Sequence, residues 1–286
     1  MTLLPSASLV VTAPLEALAV RAASACNYAV LMVRRVGGGS FASGYVFPGG
    51  VEEPGDRRAA SAAGVHAHCA VRETFEETGL LLTTAPAGGA VPRGGPFDEL
   101  CARHAIAPLR PLPLARWVTP RAQKKRFDTR FLMLNIGDRD RFLLRQLGSE
   151  RVQPAELVRL DWVPPDVALS ANARGEMPLF PPQAYILHAL SRCRRWQDLP
   201  AAVPSAAQAD QPVEPLLCRR SDGLAVALLP GDRAHGTCVP DDASLFCSDR
   251  SAPGLHRLEL VPADAGGFHA ATLLATPASA VLPDPQ

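Results

Sequence analysis

No part of this chain reaches the roughly 18 uninterrupted apolar residues that a membrane-spanning helix needs. The most apolar stretch near the start, Ser6 to Ala22, is broken by Pro14 and Glu16, and no basic segment precedes it as a secretory leader requires. Net charge is lacking too: the formal balance is +1 over 286 residues, with Lys and Arg spread along the chain. That leaves no electrostatic footprint for a polyanionic nucleic acid, and no basic surface interleaved with aromatics on which bases could stack. The seven cysteines, at 26, 69, 101, 193, 218, 238 and 247, are odd in number, scattered and without a Cys-x-x-Cys pair, which argues for reduced thiols in an intracellular compartment. The closing Asp-Pro-Gln lacks a peroxisomal Ser-Lys-Leu address. The expected location is intracellular, in the first place cytoplasmic, with mitochondrial or peroxisomal placement left open in the absence of a recognisable signal.

What is present is a chain long enough for one main domain, with 47% hydrophobic residues to fill its core. Its most informative stretch is Phe47-Pro48-Gly49-Gly50 followed, after a gap, by Arg72-Glu73-Thr74-Phe75-Glu76-Glu77-Thr78-Gly79-Leu80. On a helix, residues three and four apart share a side, so Glu73, Glu76 and Glu77 converge. Arg72 stands four before Glu76 and can brace it, while Val71, Phe75 and Thr78 supply a less polar face for the core. Gly79 is placed to close the helix as a left-handed cap.

Three neighbouring carboxylates repel one another, and a sequence tolerates that for solvation or for cations. Mg²⁺ or Mn²⁺ would resolve the conflict, since hard cations take oxygen ligands from a few carboxylates plus substrate phosphates. A solvated acidic helix face is the plain alternative. The upstream glycines weigh against it, because Gly49 and Gly50 let backbone carbonyls approach a metal or phosphate closely.

Together these residues resemble the Nudix hydrolases, whose box reads Gly, five residues, Glu, seven residues, then Arg-Glu-hydrophobic-x-Glu-Glu-x-Gly-hydrophobic. Arg72, Glu73, Glu76, Glu77, Gly79 and Leu80 match its second half. Asp56 stands where the family has Glu, Thr74 replaces an aliphatic residue, and an extra segment lies within Arg57 to Gly64. That insertion, with Phe-Pro-Gly-Gly, Trp117-Val118-Thr119-Pro120 and Arg126-Phe127-Asp128-Thr129-Arg130-Phe131, is similar to the branch of Nudix-19-type coenzyme A diphosphatases. The resemblance covers roughly residues 5 to 190 and implies an α/β/α sandwich with a mixed sheet. It implies a metal-dependent hydrolase of a diphosphate linkage in a small nucleotide substrate, coenzyme A or acyl-coenzyme A first. ADP-ribose or dinucleotide hydrolysis, or a non-catalytic nucleotide binder, are the alternatives.

By the same resemblance, Glu76, Glu77 and a carbonyl of Gly49 or Gly50 hold the metal, Glu73 either ligates a second ion or accepts the water's proton, and Arg72 orients the carboxylates. Glu156, just before a strand, supplies a further ligand or a base. Lys124, Lys125 and Arg126 form a basic turn that is either solvated or in contact with substrate phosphate. Asp128 is expected in an ion pair with Arg126 or Arg130 rather than in catalysis. His66 and His68 fall on different helical faces and read as structural or surface groups.

Along the chain, strands are expected at Ser6–Thr12, Tyr28–Arg34, up to Phe47, Leu114–Val118, Thr129–Ile136 and Leu157–Val163, with helices at His66–Thr78, Phe97–Ala105 and from Pro181. The Ala-, Pro-, Gln- and Asp-rich composition after residue 195 predicts a linker over 196–212. A small β-rich extension follows over 213–286, after a Nudix domain over 1–195. Oligomeric state is not legible.

Overall fold

The computed structural model describes residues 2–18, 20–35, 44–59, 64–87, 89–92, 95–137, 140–147, 157–219, 223–235, 254–262 and 268–275. The first half of the chain runs β1 (Leu3–Pro14), α1 (Leu15–Leu18), β2 (Tyr28–Arg35), β3 (Tyr45–Val46), β4 (Gly49–Val51), α2 (Pro54–Ala59), α3 (Val65–Thr78), α4 (Phe97–His104), β5 (Leu112–Val118) and β6 (Arg126–Asn135). Then come α5 (Arg141–Leu144), β7 (Leu157–Val163), α6 (Pro165–Ala173), α7 (Pro181–Arg192), a short 3₁₀ turn (Trp196–Asp198), α8 (Leu199–Ala202) and α9 (Ala206–Ala209). The chain closes with β8 (Pro212–Val213), β9 (Leu216–Arg219), β10 (Ala225–Leu228), β11 (His256–Pro262) and β12 (Phe268–Ala275).

One mixed sheet organises the first 213 residues, in the order β3-β2-β1-β6-β5-β8, with β4 on β1 and β7 on β2. β1 is its spine. It pairs parallel with β6 from Leu3 to Thr12, and its other edge is divided between β4 (Ser6–Ser8) and β2 (Thr12–Pro14). β1 runs beyond the expected Ser6–Thr12 because β6 gives Leu3 to Pro5, and β2 gives Ala13 and Pro14, a ladder that local composition does not announce.

Alternation along the strands sends side chains to two cores. Leu9, Val11, Leu132 and Leu134 face α3, α4 and α5, whereas Val10, Tyr28, Phe131 and Met133 face α6 and α7. The result is an α/β/α sandwich, as expected. β9 to β12 form a second, antiparallel sheet of four strands. Its Ala227, Leu229, Leu258 and Leu260 are buried in the same cluster as Tyr28 and Leu187.

Residues 196–212, expected as a linker, carry packed structure. Leu199 and Ala209 are buried, Ser205 and Gln208 close a capping box at the start of α9, and β8 adds to the outer side of β5. Short helices of Ala and Gln fall below the length at which periodicity is legible, so composition alone suggested flexible chain. No helix among the described residues is long and apolar enough to cross a membrane.

Candidate active site

The Phe-Pro-Gly-Gly turn is fixed directly to β1. Leu9 N–H donates to Pro48 O at 2.8 Å, and the Ser8 hydroxyl donates to the same oxygen at 2.9 Å. Gly49 is needed for this closeness: a Cβ there would stand 2.6 Å from Ser8 Cα and would also meet the Ala7 carbonyl, at a φ of +155°. A methyl group on Gly50 would lie 2.6 Å from Glu73 Oε2. The two glycines therefore have separate duties, Gly49 toward the sheet and Gly50 toward α3.

α3 brings the carboxylates. It packs against β1 through Cys69, Ala70 and Val71, all fully buried. Thr74, where an aliphatic residue is usual, is also fully buried and satisfies its hydroxyl on Ala70 O at 2.7 Å, so it costs the core no orphan donor. Gly79 ends the helix at φ 74° with its N–H on Phe75 O, the left-handed cap foreseen from sequence.

Arg72 is the hub. Its Nε reaches Asp56 Oδ1 at 2.8 Å and its Nη2 reaches Oδ2 at 2.9 Å, while Nη2 meets Glu73 Oε1 at 3.0 Å and Nη1 meets Glu76 Oε2 at 2.8 Å. Asp56 has no exposed surface. Burial alone would raise its pKa, but the two bonds from Arg72 and the Glu53 backbone outweigh that and hold the carboxyl below its ordinary range. The shorter Asp in place of Glu thus keeps the bidentate clamp, brought close by α2. Of the extra segment within Arg57 to Gly64, residues 57–59 belong to α2 and Gly64 precedes α3, while residues 60–63 lie outside the described set.

Glu77 is buried and accepts from Gly49 N–H at 3.1 Å, which joins α3 directly to the glycine turn. Glu76 is the most exposed of the three, and burial with the neighbouring Glu53 and Asp56 charges raises its pKa despite Arg72. Two residues that sequence spacing did not single out complete the surroundings. Glu52, almost wholly buried, pairs with His66, and His68 bonds Asp98 of α4 at 2.8 Å while facing Asp56 at 3.9 Å. Asp98 lies 30 residues from His68, beyond a loop, so no local spacing could announce it. Both histidines serve carboxylates.

The basic turn lies farther off. Arg126 is fastened to Glu214 at 2.6 Å and to Thr119 O, and Lys125 stacks over Phe127. Lys124 is exposed. Asp128 is in an ion pair as expected, but its partner is Arg116 across β5, at 2.7 and 2.9 Å. Arg126 and Arg130 are instead drawn away by Glu214 and Asp210. Glu156 lies outside the described residues. The five described cysteines are free thiols.

The donors at the site are all oxygen, from Glu73, Glu76, Glu77 and the backbone of two glycines, which fits a hard divalent cation. Gly50 offers the space, since any Cβ would fill the gap beneath Glu73. Among the described residues, no three His, Cys, Asp or Glu side chains are already gathered around one point; Glu76 is turned to Arg72 and Glu77 to Gly49.

A mixed sheet, a Phe-Pro-Gly-Gly turn and an Arg-braced carboxylate helix define a Nudix-type α/β sandwich. No family model matches the chain. The human acyl-coenzyme A diphosphatase NUDT19 is 30% identical over 198 residues, 58% of this chain and 50% of that protein. A Caenorhabditis elegans protein named nudix hydrolase 7 is 27% identical over 168 residues, 53% of this chain and 51% of its own length. The chain spans about half the length of these curated relatives. The crystal structure of a Nudix hydrolase from Alicyclobacillus acidocaldarius superposes with a TM-score of 0.55 and 27% identity, covering 71% of this chain and 97% of that one. In sequence and in fold the chain is similar to Nudix hydrolases, NUDT19 among them.

Proposed function

We propose that the chain hydrolyses the diphosphate linkage of a nucleoside diphosphate joined to another moiety, with coenzyme A or acyl-coenzyme A as the substrate. The observation that carries this reading is the Arg72 hub, which sets Glu73 and Glu76 beside one another on the helix that carries Glu77 to Gly49. A binder has no use for such a clamp. The similarity to a human acyl-coenzyme A diphosphatase supports the choice of substrate.

Bound at this site by Glu76, Glu77 and a glycine carbonyl, Mg²⁺ or Mn²⁺ would neutralise the diphosphate and acidify water. Glu73, packed over Gly50, accepts the proton of the attacking water. The water oxygen forms a bond to one phosphorus, the bridging P–O bond breaks, and the other phosphate leaves with the bond's electron pair. Arg72 keeps Glu73 and Glu76 oriented throughout, a positioning role. Glu156 is proposed as a further base or ligand, and Lys124, Lys125 and Arg126 as contacts to the substrate's outer charge.

A substrate panel of coenzyme A, acyl-coenzyme A, ADP-ribose and NAD, assayed with Mg²⁺ and Mn²⁺ and resolved by mass, tests the reading. Phosphopantetheine release that stops on chelation is the expected result. Binding of these nucleotides without any turnover would overturn it.

A further inference from the structure

The register across four strands lines up the carboxylate site with two arginines. Gly50 on β4 stands opposite Ala7 on β1, Ala7 opposite Arg130 on β6, and Arg130 opposite Arg116 on β5. Directly paired residues share a face of the sheet. Glu73 marks which face, because it covers Gly50, and Ala7 belongs to the core on the α3 side. Arg130 and Arg116 therefore lie on the same surface as the box carboxylates. At about 4.8 Å per strand, the Arg130 backbone is about 10 Å from Gly50.

Two arginines directly opposite one another repel, so their juxtaposition needs a reason. Asp128 neutralises Arg116 through two hydrogen bonds from partly buried atoms. Arg130 is held differently. Its partner, Asp210, sits at the end of α9, and α9 leads into β8 on the outer side of β5. Arg130 is thus drawn away from Gly50 toward the edge of the sheet, and its counter-ion is 63% exposed while the guanidinium itself is 19% exposed. An ion pair with so solvated a carboxylate is weak and open to competition by a stronger anion.

Resting on the hydrolase reading above, we infer that Arg130, flanked by Arg116, binds a phosphomonoester carried by the substrate one sugar away from the scissile diphosphate. A phosphate dianion takes a guanidinium's paired donors better than a solvated carboxylate does. The subsite selects nucleotides that bear a sugar phosphate besides the diphosphate, as coenzyme A does and ADP-ribose does not. It is nearer to Gly50 than the Lys124–Arg126 turn, since Arg126 pairs with Leu3, four residues farther along β1.

The test is calorimetric titration of the full chain with adenosine 3′,5′-bisphosphate and with AMP, neither of which needs turnover. The bisphosphate is expected to bind at least about tenfold tighter, a charge-assisted contact's worth. Arg130→Gln brings the two affinities together, and Asp210→Asn, which frees the guanidinium, widens the gap. Equal affinities in the unaltered protein, or a gap that Asp210→Asn leaves the same or narrows, would overturn the assignment. Asp210→Asn decides the matter even if Arg130→Gln does not fold. Discrimination in binding without hydrolysis of coenzyme A would leave the subsite standing and sink the hydrolase reading instead.

Discussion

Asp56 and Arg72 face each other with two parallel hydrogen bonds of 2.8 and 2.9 Å, both side chains buried. The pair spans 16 positions and ties α2 to α3, so the box helix is anchored at the residue that orients its carboxylates. Removing Asp56 leaves a buried guanidinium without its main partner. Asp56→Ala is expected to cost about 3–5 kcal/mol of stability, read as a shift in the urea midpoint. Asp56→Glu, which restores the residue usual in the family, keeps the charge but overfills a site with no exposed surface, at about 1–3 kcal/mol. A neutral outcome for Asp56→Ala would show that the clamp is dispensable.

Glu76 is the opposite case. Its side chain is 44% exposed and its bond to Arg72 is a helix-surface pair four residues apart, worth only a few tenths of a kcal/mol. Glu76→Gln is therefore expected to abolish turnover with the thermal midpoint almost unchanged. Retained hydrolysis in the presence of metal would remove Glu76 from the site.

The contrast between these residues shows what a sequence carries. Glu73, Glu76 and Glu77 were legible because helix periodicity is local, and so was the less polar face through Val71 and Phe75. The pairing of Asp56 with Arg72 was not read from the sequence at all, since the two stand 16 positions apart across the insertion. Asp128 was read as an ion-paired residue, but its partner came from β5, which sequence neighbours cannot specify. The row Gly50, Ala7, Arg130, Arg116 was invisible for the same reason: it exists only once β1 accepts β4 on one edge and β6 on the other. Residues 196–212 misled because short capped helices stabilised by tertiary packing have the composition of a linker.

Gly49 and Gly50 should fail in different ways. Gly49→Ala drives a methyl group into the β1 backbone at an unfavourable φ, and is expected to cost about 1–3 kcal/mol in stability. Gly50→Ala meets only the end of the Glu73 side chain, which can swing away, so the fold survives. Displacing that carboxylate by about 1 Å is expected to lower turnover about a hundredfold. Melting curves and rates measured on both variants separate the two; the reverse pattern would exchange the roles given to them.

Acid stability should report on Asp232. Burial would raise its carboxyl pKa, but two bonds from Arg257 and the backbone N–H groups of His256 and Ala234 hold it below the ordinary 3.8. A carboxyl with a lower pKa folded than unfolded adds stability that is present above the unfolded value and lost as pH falls through the folded one. Stability should therefore fall below about pH 4. Asp232→Asn is expected to cost about 3–5 kcal/mol at neutral pH and to flatten that acid limb. Urea midpoints at pH 7 and pH 3 check both; an unchanged limb would assign the acid sensitivity to other carboxyls.

The second sheet shares the core of α7 rather than standing apart as a free appendage. Tyr185 on α7 bonds His256 of β11 at 2.7 Å, and His256 is fixed in turn by Pro230 O at 2.7 Å. Because the Pro230 carbonyl only accepts, His256 Nδ1 must donate to it, which leaves Nε2 of the neutral ring as acceptor for the tyrosine hydroxyl. Leu229, Leu258 and Leu260 enter the same core as α7. Three leucines at about 1.5–3 kcal/mol each rival the about 5–15 kcal/mol that holds a whole domain folded. A chain ending at residue 212 is therefore expected to lose cooperative melting, and Tyr185→Phe in the full chain to cost about 1–3 kcal/mol through the unpaired His256 nitrogen. A truncated chain that melts cooperatively near the full-length temperature would show that the helical face closes without this sheet.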